Sequence, residues 1–296
     1  TVSGINKKLM SNSTSGEATQ TNYVTAIGSD SFSIGNNNGL NQNSVTNVCW
    51  QWKAGTSFTN DASSTGIGSI DSAGSVNTDA GFSIMTYTGT GSNATFAHGL
   101  SAVPKVAIFK DRSSTGYWMT YHQAVGNGAN LVLNANDASS AASVWWNSTS
   151  PTSSVFSIGT SNNINVSGRN YVGYLFADVK GYSKFGSYAG NGNVDGPFCF
   201  TGFKPAFVLT KTASATYHWS INDNKRNTFN PTDKRLYPST SGVEATADAY
   251  DIDFLSNGFK IRSSSVSFNN SGDNVVYMAF AENPFTTSTG IPGLAR

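Results

Sequence analysis

Three stretches of the chain carry one hydrophobic pattern. Phe32 to Trp52, Phe156 to Ala177 and Phe259 to Ala281 each open on Phe-x-Ile, pass through an Asn/Ser/Gly-rich connection, and end in a run with large side chains on alternate residues. The alternating pairs are Trp50 and Trp52, Tyr174 and Phe176, and Met278 and Phe280. Period-two alternation turns one face of a strand into a core. Asn, Ser and Gly tolerate turn geometry and satisfy their own backbone. The pattern predicts a β-hairpin module used three times, and such a repeat governs the rest of the reading.

Between these copies the order of apolar runs also repeats. Phe82 to Tyr87 is answered by Tyr182 to Tyr188, Val106 to Lys110 by Phe207 to Lys211, and Asn130 to Leu133 by Lys234 to Tyr237. Trp145-Trp146 is answered by Tyr250 to Phe254. Trp118 follows Lys110 at the spacing at which Trp219 follows Lys211. Each unit offers about seven short strands divided by Gly, Asn, Ser and Pro turns, with no helical period. The expected fold is all-β, with tandem antiparallel β-sandwich or jelly-roll-like units behind an N-terminal partial unit. The expected boundaries are 1–54 for the partial unit, 55–80 for a linker or surface loop, 81–180 and 181–283 for two sandwich units, and 284–296 for a C-terminal tail. The stretch 55–80 reads as a linker because large apolar residues are scattered thinly through Gly, Ser, Thr and Asp.

Composition narrows the class. The 296 residues are long enough to bury a sizeable core. Only 12% are charged, and the net charge is +1. An ordinary globular chain is roughly 25% charged. That balance gives no electrostatic case for nucleic acid or an anionic membrane, and no apolar run reaches the ~20 residues of a membrane span. Thr1 opens the chain without a signal peptide or an initiator Met, as in a processed or partial piece. Cys49 and Cys199 do not occupy equivalent repeat positions and read as two buried free thiols, with one disulfide as the alternative. Low charge with many small polar residues and aromatics describes an extracellular or particle-surface protein.

Candidate chemistry is sparse. Cleavage of a glycan needs two carboxylates flanking a bond. The three glutamates, Glu17, Glu244 and Glu282, lie apart in loops or ends, and the three histidines fall at unmatched positions. No metal site, cofactor or catalytic set is expected. Asp251 and Asp253 share a strand face, which could hold a cation but reads more simply as a solvated face. The oxygen-rich turn Asn191 to Gly196 lacks the spaced carboxylates of a calcium loop. Lys225, Arg226, Lys234 and Arg235, between Asp223 and Asp233, form the densest charge cluster, either a loop with internal ion pairs or a partner contact. Aromatics stack on sugar rings and anchor interfaces. Trp118 and Trp219, at repeated spacing, read as structural. Trp145 and Trp146 are adjacent and so point to opposite faces, which leaves at most one of them core and makes the other the better surface candidate. The ligand-binding candidates are Trp145, Trp146, Tyr237, Tyr250, Asp251 and Asp253.

Several strings are more specific than turn chemistry. Gly81-Phe82-Ser83-Ile84 through Tyr87, His98-Gly99-Leu100 and Pro104-Lys105 form one series. Phe185-Gly186-Ser187-Tyr188, Asp195-Gly196-Pro197-Phe198, Thr201-Gly202-Phe203, Asp233 to Tyr237 and Asp253 to Lys260 form the next. Glu282 to Phe285, Gly290-Ile291-Pro292 and Ala295-Arg296 close the chain. From Lys7 onward the chain resembles repeat-containing tail-fibre or appendage proteins of marine bacteriophages, including phages of cyanobacteria. The resemblance implies a virion-surface, extracellular location, contact with other virion proteins and attachment to a host-surface glycan, with no catalytic residues to carry over. A purely structural, self-associating subunit is the alternative. The resemblance also implies a homo-oligomer, a trimer. The residues add one reason for association: the first hairpin copy, with Trp50 and Trp52, lacks the strands that cover it in the other two.

Overall fold

The computed structural model describes residues 4–247 and 251–284. Ahead of the first full unit lie β1 (Lys7–Lys8), β2 (Ala18–Thr19), β3 (Val24–Ile27), β4 (Phe32–Ile34), β5 (Thr56–Asn60) and β6 (Ser72–Asn77). The first unit holds β7 (Phe82–Thr88), β8 (Ala94–Ala97), β9 (Val106–Asp111), β10 (Met119–His122), β11 (Ala129–Val132), β12 (Ser140–Ala141), β13 (Val155–Ile158) and β14 (Asn170–Phe176). The second holds β15 (Ser183–Ala189), β16 (Phe198–Phe200), β17 (Pro205–Thr212), β18 (Ser220–Asp223), β19 (Lys234–Arg235), β20 (Ala245–Thr246), β21 (Ile252–Leu255), β22 (Gly258–Ile261) and β23 (Asn274–Ala281). The helices are single turns: α1 (Asn38–Asn41), α2 (Ala62–Thr65) and α3 (Val266–Asn269). The fold is all-β and sandwich-like.

The repeat is visible in the strand order. The second unit's main sheet runs β15-β23-β17-β18, and the same order, β7-β14-β9-β10, forms the middle of the first unit's eight-stranded sheet. Each main sheet faces a small one, β8 with β13 in the first unit and β16-β22-β21 in the second. Phe156 and Phe259, equivalent by sequence, are both buried on those small sheets.

The two units are back to back. On β14, Tyr171 and Leu175 face the core beneath β8 and β13, while Tyr174 and Phe176 face the other way. On β23, Val275, Tyr277 and Ala279 belong to the second unit's own core, while Val276, Met278 and Phe280 face outward from it. Those outward faces meet in a shared core with Val106, Trp118, Phe207 and Trp219. Four β-layers therefore enclose three cores. Because β14 and β23 are covered on both faces, they read as near-continuous apolar runs.

The first copy departs from the expected hairpin. Phe32–Ile34 pairs with Val24–Ile27, but residues 43–55 are not a strand. Trp50 and Trp52 still take the positions of their counterparts. The ring of Trp52 lies 6.2 Å from Phe176 and 5.4 Å from Phe280, which are themselves 5.9 Å apart. Three equivalent repeat positions thus meet at one point, as three copies around a common centre would. Trp50 packs on Phe207 at 5.6 Å. The Trp50 and Trp52 rings are covered by the chain's own two units, so their exposure is no longer a reason for oligomerisation.

The stretch 55–80 is no linker. Strands β5 and β6 extend the large sheet beyond β7, with Thr56 paired to Val76 and Ala73 to Thr86. Large apolar residues are few because only Phe58, Ile70 and Val76 turn toward the core. Gly74 permits the close approach: a Cβ there would collide with the carbonyl of Ile84. Val144-Trp145-Trp146 is a turn, not a strand.

In the second and third copies the connection after Phe-x-Ile is locked by one buried asparagine. Asn165 donates to the carbonyls of Ser92 and Gly159 and accepts from the Thr90 amide. Asn269 donates to Asn193 and Ser263 carbonyls and accepts from the Asn191 amide. Tyr87 and Tyr188 donate to Ile164 and Phe268 carbonyls beside them. Replacing Asn269 by Ala strands several buried backbone groups, so Asn269→Ala is expected to cost about 2–3 kcal/mol, and Asn165→Ala a similar amount, in urea unfolding of the whole chain.

Candidate functional site

The repeat has a second, smaller element that joins successive copies. Hairpins β1–β2, β11–β12 and β19–β20 share one register: Lys8 pairs with Ala18, Asn130 with Ser140, and Arg235 with Ala245. The same turn opens each tip, with Ser13, Ala135 and Thr240 amides donating to the carbonyls of Met10, Val132 and Tyr237.

In the first two copies this tip clasps the unit that follows. The Met10 carbonyl accepts the indole N–H of Trp118 at 2.9 Å, and the Val132 carbonyl that of Trp219 at 2.9 Å. Four residues on, the Thr14 carbonyl accepts from Lys110 Nζ at 3.0 Å and the Asn136 carbonyl from Lys211 Nζ at 3.3 Å. Three further on, the Glu17 and Ser139 amides donate to the carbonyls of Arg112 and Ala213. The fixed spacing of Lys and Trp is thus the spacing of two donors reaching one clasp. Trp118 and Trp219 are core residues, as their repetition suggested.

Where the second clasp meets the second unit there is a cleft of ≈ 150 Å³, lined by Asn136, Lys211, Tyr217, His218, Arg235 and Tyr237 among others. Drug-sized ligand sites run to roughly 300–1,000 Å³. This one fits a single small ring or polar group. Lys211 does not serve it, because its three N–H groups are spent on the carbonyls of Asn136, Thr212 and Ala215. Burial pushes its pKa down to about 8. The rim is aromatic. His218, exposed, lies 5.5 Å from the Tyr237 ring and bonds Ser239 through Nδ1. The buried Arg235 holds its guanidinium 4.8 Å from the centre of the same Tyr237 ring.

Of the sequence candidates among the described residues, Tyr237 alone lines this cleft. Trp146 is fully buried and donates to the Ala129 carbonyl. Trp145 is half-buried and packs against the first unit's core, away from the cleft. A turn, unlike a strand, does not force neighbours to opposite faces. Asp253 pairs with Arg262 at 3.4 Å, and Asp251 accepts the Arg262 amide on its carbonyl. Tyr250 lies outside the described residues. No repeated spacing marked Tyr217 and His218, since Tyr117 stands directly before Trp118 whereas Tyr217 stands two residues before Trp219 with His218 between them.

The charge cluster is an internal network. Arg226 bonds Asp223 at 2.7 Å and Glu244 at 3.2 Å, and Lys234 reaches Glu244 at 3.6 Å. The Asn191–Gly196 turn is closed by its own hydrogen bonds, with Asp195 paired to Lys260 at 2.9 Å. Among the described residues no group of three His, Cys, Asp or Glu could hold a metal ion, and no helix is long and apolar enough to cross a membrane. Cys199 is buried and its pKa is pushed up to about 12, whereas Cys49 is exposed, contrary to expectation, since the run from Val48 to Ala54 turns only alternate residues inward.

A family profile described as a domain of unknown function, DUF7483, matches residues 1–284. The chain belongs to this family. No curated protein and no solved structure matches it.

Two histidines of this DUF7483 chain are buried beside backbone rather than beside the cleft. His98 Nε2 donates to the Thr152 carbonyl and His122 Nε2 to the Tyr277 carbonyl, while each Nδ1 accepts an amide two residues on. Burial pushes both pKa values down to about 4. Unfolding returns them to about 6.5, so below that pH the unfolded chain binds more protons than the folded one. Stability is therefore whole above pH 6.5 and falls as the pH drops toward 4, by roughly 3 kcal/mol for each histidine. Urea midpoints measured between pH 7 and pH 4.5 check this, and His122→Asn is expected to flatten the slope.

Proposed function

We propose that this chain is a non-catalytic recognition protein of a virion surface, binding one saccharide residue of a host-surface glycan in the Tyr217–His218–Tyr237 cleft. The observation that carries the reading is the aromatic rim beside a guanidinium and the Asn136 side of the clasp, around a space of ≈ 150 Å³. Aromatic faces bury a sugar ring with few torsions to fix, and polar neighbours orient its hydroxyls. An acidic sugar suits the cationic side of the site best.

The virion setting is supported by the resemblance to phage appendage repeats and by a surface of low charge. The non-catalytic reading is supported by how the carboxylates are used. Glu17 pairs with Arg112, Glu244 with Arg226 and Glu282 with Lys204, and Asp253 pairs with Arg262. Glycoside cleavage asks for two carboxyl groups facing one bond. Attachment to other virion proteins and assembly as a homo-trimer belong to the same proposal, and light scattering tests the trimer. A purely structural role is the second reading, and the unladdered segment 46–54 favours it.

A glycan array probed with the full chain is expected to show selective binding to acidic polysaccharides. Tyr237→Ala is expected to weaken that binding by at least about fivefold, the worth of one stacked ring. An array without a selective ligand, or binding that Tyr237→Ala leaves unchanged, would transfer the weight to the structural reading.

A further inference from the structure

We propose that residues 46–54 and the tip of the third hairpin, 237–244, form a docking site for the first half of another unit of this repeat, a β9–β10 type hairpin bearing a Lys and, eight residues on, a Trp. The inference does not rest on the glycan reading, although Tyr237 borders both sites.

The first copy is half of a unit. Its β1–β2 hairpin, its β3–β4 pair and its Trp50–Trp52 run answer β11–β12, β21–β22 and β23, but nothing in it answers β7, β9 or β10. In the other units those strands flank the repeat's last strand on both sides: β14 pairs with β7 and β9, and β23 with β15 and β17. Residues 46–54 make no backbone-to-backbone hydrogen bond among the described residues. Yet they keep a strand's alternation, with Val48, Trp50, Trp52 and Ala54 turned toward the protein and Cys49, Gln51 and Lys53 exposed. A peptide run already extended, with its side chains anchored and its N–H and C=O groups unladdered, is what strand addition uses.

The apolar residues of the half unit agree. Ile34 is 41% exposed, whereas its counterparts Ile158 and Ile261 are fully buried against the missing kind of sheet. Ile27 and Val45 are likewise exposed.

The third clasp supplies the other wall. Its register matches the two clasps that hold Lys110 with Trp118 and Lys211 with Trp219. In this copy Ser241, Gly242, Val243 and Glu244 are exposed, Val243 by 87%. By register, Ser241 is the counterpart of Thr14 and Asn136, whose carbonyls each take an ammonium. Copies disposed around a common centre, as Trp52, Phe176 and Phe280 are, would bring the third clasp to the half unit's open side. The occupant is thus defined by the two that the molecule already holds.

The probe is a synthetic peptide of residues 104–122, the chain's own β9–β10 hairpin, titrated into the full chain with amide hydrogen exchange as the readout. Saturable one-to-one binding is expected, with protection gained at 46–54 and 237–244. Peptides carrying Lys110→Met or Trp118→Phe are expected to bind at least roughly tenfold more weakly. Gln51→Pro in the chain removes an N–H that no backbone carbonyl holds, so circular dichroism is expected to stay unchanged while peptide binding is lost. No binding, protection elsewhere, or indifference to both peptide substitutions overturns the proposal. So does a concentration-dependent dimer of the chain alone that protects 46–54, because the occupant is then a second copy.

Discussion

Burial of both faces of the two central strands is the constraint from which the rest of this fold follows. An antiparallel sheet ordinarily keeps one face in water. Here β14 gives Tyr171 and Leu175 to one core and Tyr174 and Phe176 to another, and β23 does the same with Tyr277 and Ala279 against Met278 and Phe280. The shared core between them fuses two sandwiches into one body. It also explains why the Trp50–Trp52 run holds its place without a ladder: three phenylalanines supply its contacts.

Double burial leaves a problem at the strand ends. Where β9 and β17 run out of apolar residues, Lys110 and Lys211 are carried into the interior, with almost no exposure. An ammonium out of water costs several kcal/mol unless its hydrogens are matched. The clasp is the answer, since each lysine finds carbonyls of its own strand and of the preceding copy's hairpin. The paired Trp indole takes a neighbouring carbonyl of the same tip. Satisfaction of one unit's buried donors thus depends on the unit before it, which makes the order of units along the chain a structural property and not only a genetic one.

Much of this was legible in the sequence, and the part that was not failed for physical reasons. Phe-x-Ile, the alternating aromatics and the equal Lys-to-Trp spacing located the repeat because core contacts demand particular side chains at particular positions. The clasp hairpins were missed, apart from the Asn130–Leu133 and Lys234–Tyr237 correspondence, because they act through backbone carbonyls, which any residue supplies. Met10, Val132 and Tyr237 share a role and no side-chain chemistry. The same blindness made 55–80 look like a linker: β6, laddered to β7 on one side and to the edge strand β5 on the other, pairs through its backbone and needs only Val76 turned inward. The Trp145–Trp146 pair misled for the opposite reason, since the rule that neighbours point apart belongs to strands and these residues sit in a turn.

The cleft was half legible on the same grounds. Tyr237 was singled out as an aromatic, but what places it is the β19–β20 register, and what makes a space beside it is the second clasp crossing from the first unit at Asn136. A site built where one copy's backbone crosses another copy's side chains has no motif of contiguous residues. In a repeat protein of this kind, the junctions differ between copies more than the units do, because each junction depends on what its neighbour lacks. The first clasp meets Lys110 without a Tyr217–His218 pair beside it, and the third takes no Lys–Trp pair among the described residues. In such an architecture the seams, where the repeat is broken, are where one copy carries a feature that its counterparts lack.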